Sequence, residues 1–159
     1  MSRTWHRLLA CVACLAWLAS GGVALATAAD LMVMSPRAMA SIPGAPATVI
    51  YLSVHNVGGV ADRLVGASTP LASKVEIHSG GMNGGVNVMR PLDGITIAVG
   101  DMIEFRSGGN HLMLTGLRRP LTVGMVVPLV LRFQKAGEVR VAVPVVALAA
   151  ASLPATPDP

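Results

Sequence analysis

Lys74-Val75-Glu76-Ile77-His78 alternates strictly between polar and apolar side chains. A period of two is the mark of an extended chain, because successive Cβ atoms of a strand point to opposite faces. Val75 and Ile77 then face a core, and Lys74, Glu76 and His78 face away from it. The same alternation appears on either side, in Val49-Ile50-Tyr51-Leu52-Ser53-Val54 and in Val86-Asn87-Val88-Met89. Further strand-like runs cover residues 63–67, 95–99, 102–105, 111–115, 126–133 and 138–143. Turn formers separate them at residues 56–59, 80–85, 93–94, 100–101, 107–110 and 136–137. The glycine-rich stretch Gly80-Gly81-Met82-Asn83-Gly84-Gly85 reads as a mobile loop. No stretch from Leu31 to Val146 keeps a helical period. Many short strands punctuated by glycine turns predict an all-β sandwich or barrel. Pro128 lies inside one strand pattern and predicts an edge or a bulge there. The placement of the segment holding Met32, Met34 and Met39 is not fixed by pattern.

The two ends of the chain read differently from its middle. Arg3, His6 and Arg7 precede an apolar run, residues 8–18, which ends in small residues around Ala24, Ala26 and Ala28. That order predicts a secretory signal over residues 1–28, and the run is shorter than the roughly 20 apolar residues of a membrane span. After cleavage no membrane insertion is expected. Cys11 and Cys14, the only cysteines, fall inside this segment. Cys11 follows Leu8-Leu9-Ala10, but no apolar region precedes it, so lipidation is not expected. The exported part then holds no thiol, which rules out a disulfide or a blue-copper centre needing a Cys ligand. Removing Arg3 and Arg7 takes the 12 basic residues to 10 against 8 acidic, a formal charge of +2. With so small an excess and few aromatics, nucleic-acid binding is not expected. About 130 residues remain, enough for one domain with a core, here residues 29–146. Residues 147–159, rich in Ala and Pro, predict a loose tail.

Four side chains in the non-core phase carry possible chemistry. His78 faces away from Ile77. Met89 takes the phase opposite Val86 and Val88. In His111-Leu112-Met113-Leu114 the leucines take the core, so His111 and Met113 lie side by side on the other face. Each residue alone has an ordinary reading, a histidine at the surface or a methionine filling a gap. Met102 and Met125, which open strands, read as packing residues, and Met82 could approach His78 from the loop. His55 reads as a turn histidine despite Asp62 nearby. If the two imidazoles and two thioethers converge, the metal follows from their softness. Thioethers suit Cu(I) and compete poorly for harder ions. All four donors are neutral, which matches a singly charged ion, and no H-E-x-x-H pattern points to catalytic zinc.

From His78 the spacing is ten residues to Met89 and twenty-one more to His111-Leu112-Met113. This resembles the motif of the periplasmic copper chaperone family PCu(A)C. Similar text surrounds it: Tyr51-Leu52-Ser53-Val54 with Asn56, Asp62-Arg63-Leu64-Val65-Gly66-Ala67, Met89-Arg90-Pro91-Leu92, Gly108-Gly109-Asn110 before His111, and Lys135-Ala136-Gly137-Glu138-Val139. The resemblance spans residues 36–145. It implies an all-β, cupredoxin-like Greek-key β-sandwich that binds Cu(I) through His78, Met89, His111 and Met113. It also implies delivery of copper to the copper A centre of cytochrome c oxidase subunit II, with another copper carrier or a thiol reductant as further partners, and no catalysis. The chain departs from the family at Ser79 and Gly80, where a Glu often follows the first His. Its tail lacks His and Met, so one copper per chain is expected. A Trp common near the mature N-terminus is missing around Pro36.

Three function classes stay open on sequence: a periplasmic copper carrier, a copper buffer with the same site, and a β-sandwich interaction module without metal. No Ser/His/Asp set, carboxylate pair or phosphate loop suggests an enzyme.

Overall fold

The computed structural model describes residues 30–83 and 86–147. The signal expected at residues 1–28 and all of the expected tail beyond Ala147 lie outside them. Ten strands follow in order: β1 (Leu31–Met39), β2 (Ala47–Asn56), β3 (Asp62–Ser68), β4 (Ala72–Asn83), β5 (Val86–Leu92), β6 (Ile95–Ile97), β7 (Met102–Phe105), β8 (Asn110–Leu117), β9 (Val126–Phe133) and β10 (Gly137–Val146). No α-helix occurs among the described residues. The hydrogen-bonded order is β5-β4-β8-β7-β2-β1-β10-β9-β3-β6. It folds into two layers, β5 to β1 and β10 to β6, which share one core. The first layer contributes Ile50, Leu52, Val54, Leu112 and Leu114, and the second Leu64, Leu129, Leu131 and Val143, all essentially fully buried. Each such aliphatic side chain contributes about 1.5–3 kcal/mol on leaving water.

The join between the layers is β1, the strand that the sequence pattern did not place. Leu31 to Met34 pair antiparallel with Asn56 to Ser53 of β2. The register then shifts between Met34 and Arg37, with Ser35 at a φ of 49° and Pro36 beside it. Beyond this bulge Ala38 pairs with Ile50 on one side and, in parallel, with Val145 of β10 on the other. A bulge swings the strand direction, and here it carries one strand across from the first layer to the second. The same irregularity breaks the period of two, which is why the segment gave no clear pattern.

Pro128 does not lie at the border of a sheet. It pairs with Ala142 inside the β9–β10 ladder. On its other side the pairing with β3 stops at Ser68↔Val130, so the position is an edge only locally. That is the place in a ladder where a missing N–H costs least.

Two buried polar side chains hold loops onto the sandwich. Asn56 Nδ2 donates to the carbonyls of Val60 (2.8 Å) and Ile97 (3.0 Å), and its Oδ1 accepts from Gly58 N–H. Asp62 accepts from the backbone N–H groups of Arg63 (2.7 Å), Lys135 (2.9 Å) and Ala136 (2.8 Å). It thereby fastens the turn between β9 and β10 to the start of β3. Burial alone would raise the Asp62 pKa, but these three donors and the Lys135 charge hold it below its ordinary value of 3.8.

Candidate metal site

β4 lies between β5 and β8, and the registers of its two ladders assemble the candidate ligands. His78 is directly opposite His111 of β8, and Glu76 is opposite Met113. On the other flank His78 is opposite Pro91 and Gly80 is opposite Met89. Residues directly opposed in an antiparallel pair share a face. His78, His111, Met113 and Met89 therefore all stand on the outer face of the first layer. Leu112 and Leu114 take the inner face and are fully buried, as the alternation predicts.

The four residues are not equally placed. The imidazoles of His78 and His111 meet edge to face with ring centroids 5.6 Å apart. Met113 is half-buried, two residues along from His111 and on its side. Met89 is 58% exposed, one diagonal step from His78 across β4–β5. The structure thus brings the two histidines together and sets Met113 next to them. Met89 stands free on the outermost strand of this layer.

His111 departs from the expectation of a surface histidine. It is only 4% exposed, although it faces away from the core. Its Nδ1 lies 3.0 Å from the Gly109 carbonyl. A carbonyl can only accept, so Nδ1 carries the proton and donates it. In the neutral ring Nε2 is then left with its lone pair. That Nε2 is buried and has no partner among the described residues, and the same is true of His78 Nδ1. The other nitrogen of His78, Nε2, faces Glu76 Oε2 at 3.9 Å, too long for a hydrogen bond but suited to orienting the ring. Glu76 is itself held by Lys74, with Nζ 2.7 Å from Oε1. This hydrogen bond, together with the Lys74 charge, lowers the Glu76 pKa. Of the two adjacent imidazoles, His111 thus fixes its backside nitrogen on a carbonyl and His78 turns its own toward a carboxylate, and each keeps the other nitrogen free. Metal-binding histidines are oriented in this way by their second nitrogen. An unsatisfied buried nitrogen costs about 1–3 kcal/mol, a debt that a bound ion would cancel.

Gly80 and Gly109, to which the sequence reading gave no part in the site, place this pair. Gly80 N–H donates to the Gly109 carbonyl at 2.9 Å, the same oxygen that receives His111 Nδ1–H. A Cβ on Gly80 would lie 3.0 Å from that oxygen. The β7–β8 turn and the β4 arm therefore touch backbone to backbone, and the contact also orients a candidate ligand. Contrary to the expected loop at residues 80–85, the strand β4 continues through this contact to Asn83. Met82 opposes Asn87 in its register. Among the described residues no three His, Cys, Asp or Glu side chains gather around a common point. A metal site here has to draw on methionine.

The solved structures that this all-β sandwich resembles include PCuAC domains. The copper-bound PCuAC domain from PmoF2 matches with a TM-score of 0.64 at 24% identity, over 74% of this chain and 93% of that one. The solution structure of CuI-DR1885 from Deinococcus radiodurans matches with a TM-score of 0.53 at 33% identity, over 72% of this chain and 75% of that one. The apo form of DR1885 gives 0.58 and 30%, over 75% and 80%. The chain belongs to the family described as "Putative lipoprotein LpqE-like", which matches residues 31–145. A relative from Leifsonia xyli subsp. xyli, "Putative lipoprotein Lxx21020", is 32% identical over 114 residues, 71% of this chain and 69% of that protein. The resemblance to PCu(A)C proteins and the all-β sandwich expected from sequence are both borne out.

Proposed function

We propose that the protein binds one Cu(I) ion at His78, His111, Met113 and Met89 and carries it to a copper-accepting protein outside the cytoplasm. The observation that carries this reading is the pair of buried, unpartnered nitrogens, His78 Nδ1 and His111 Nε2, on directly opposed residues with Met113 beside them. Two neutral imidazoles with thioethers form a soft, uncharged donor set, which favours Cu(I) over zinc, magnesium or calcium. An exposed Met89 suits a carrier: one ligand on an edge strand can leave first and open the ion to an incoming partner. The copper-bound state of the PmoF2 domain and of DR1885 supports the choice of metal. The N-terminal pattern of residues 1–28 and the lipoprotein name of the relative support export. Delivery to the copper A centre of cytochrome c oxidase subunit II rests on the resemblance to PCu(A)C proteins.

Anaerobic titration of Cu(I) against a coloured chelator tests the site. Tight uptake at these residues is expected in the wild type. His78→Ala and Met113→Ala should weaken it by more than the about 10–100-fold that outer-shell changes cost. Unchanged affinity in both variants would overturn the assignment. Transfer to an apo subunit II domain, followed by its copper A absorption, tests the recipient.

A further inference from the structure

At the other end of the same outer face, three neighbouring strands place one more histidine between two methionines. Met32 of β1 is directly opposite His55 of β2, and His55 is directly opposite Met102 of β7. Directly opposed side chains share a face with Cβ atoms about 4.5–5.5 Å apart, so both thioether arms reach the imidazole between them. The intervening residues fix which face this is. Val54 is fully buried, and Val33 and Ile103 pack on the core, so Met32, His55 and Met102 point outward. Met32 is 50% and Met102 51% exposed, with His55 half-buried between them. Met102 is thus not the packing residue its strand pattern suggested, and His55 is not in a turn. The next row on this face is Met34, Ser53 and Glu104, which adds a third thioether and a carboxylate one step away.

We propose that Met32, His55 and Met102 form a second soft-metal site, taking Cu(I) or a chemically similar d¹⁰ monovalent ion. Methionine normally fills gaps in a core, and two exposed ones flanking an imidazole in one row have no packing task. The donors are two thioethers and a neutral nitrogen, which select a soft monovalent ion. Glu104, in the neighbouring row, faces Arg106 Nε at 3.9 Å. The site is separate from the one at His78. Leu112 is opposite Ile50, so His111 stands level with Tyr51, and His55 is four residues further along β2. At about 3.4 Å per residue that is roughly 14 Å, too far for one ion to be shared. The second site is open to solvent and its histidine has no fixed backside partner among the described residues, so it binds more weakly and exchanges faster than the first. Its place on the same sheet face makes it an entry or exit station for the ion.

The test uses purified protein with ¹³C-methyl methionine, titrated with Ag(I) as a redox-inert probe and then anaerobically with Cu(I). During the second equivalent the methyl signals of Met32 and Met102 and the ring signals of His55 should shift. His55→Ala and Met102→Leu should each lose the second equivalent and keep the first. His78→Ala should lose the first and keep the shifts at Met32 and Met102, so the two sites fail independently. All these second-site residues are exposed or half-buried, and the variants should fold. Unmoved methyls of Met32 and Met102 at severalfold excess of ion would overturn the proposal. Equal shifts in His55→Ala would overturn it too, because ions would then collect on any exposed thioether.

Discussion

Replacing Gly80 with alanine tests whether the backbone contact beneath the candidate site sets its affinity. The new Cβ would lie 3.0 Å from Gly109 O, 3.1 Å from Gly108 O and 3.2 Å from the Gly108 carbonyl carbon. All three are backbone atoms, so no flexible side chain can swing aside. The turn cannot retreat freely either, because Arg106 N–H is bonded to Asn110 O at 2.7 Å and Gly109 N–H to Arg106 O at 3.1 Å. Forcing one methyl into such a contact costs about 1–3 kcal/mol. Relieving it by opening the Gly80–Gly109 bond costs about 1 kcal/mol instead. The two routes are alternatives, so the cheaper sets the cost, and we expect about 1 kcal/mol, roughly 4 °C in Tm for a domain of this size. The same displacement moves the carbonyl that orients His111, and outer-shell changes of that kind lower metal affinity about 10–100-fold. Thermal unfolding followed by circular dichroism reads the first effect, and competition for Cu(I) reads the second. An unchanged Tm would refute the tight contact. A lowered Tm with wild-type Cu(I) affinity would refute the claim that the Gly109 carbonyl orients a ligand.

Adjacent residues of β8 should separate stability from binding. Leu112→Ala empties a fully buried position and should cost about 2.7–5 kcal/mol in urea unfolding, with Cu(I) affinity of the folded fraction kept within a few-fold. Met113→Ala should do the reverse. Asp62→Ala strands three backbone donors and should cost about 2–4 kcal/mol. Because the folded pKa of Asp62 is depressed, its contribution is complete above its unfolded pKa and fades as pH falls through the lower folded value. Urea midpoints measured from pH 6 down to pH 3 should therefore fall less steeply in Asp62→Ala than in the wild type. Parallel slopes would show that Asp62 is not the responsible group.

Legibility in the sequence followed the regularity of the backbone. The strands 102–105 and 126–133 have the bounds that the period of two assigns. The phase of His111-Leu112-Met113-Leu114 is also as read. The pattern was blind wherever a strand departs from two residues per repeat or contains glycine. Ser35 and Pro36 hide β1 by adding a bulge, and the glycines after Ser79 disguise the β4 arm as a loop. Phase also says which face a side chain takes, but not what covers that face. His111 was correctly assigned to the outer side and still turned out buried, because the glycine turn before it folds against the β4 arm. The Met32–His55–Met102 row was not legible at all. It depends on which strands become neighbours: β1 has no readable period, and β7 is far from β2 in the chain.

The β1 crossing has a kinetic consequence. Its second half pairs with the strand that ends the described fold, Ala38 with Val145 and Met39 with Val146. The two layers cannot close until both ends of this region are free in the same compartment. Such distant pairing makes for slow folding, on the millisecond-to-second scale of β-sandwiches. Closure of the sandwich therefore waits on its last strand, whereas the ladders of β4, β5 and β8 that carry the candidate ligands do not include it.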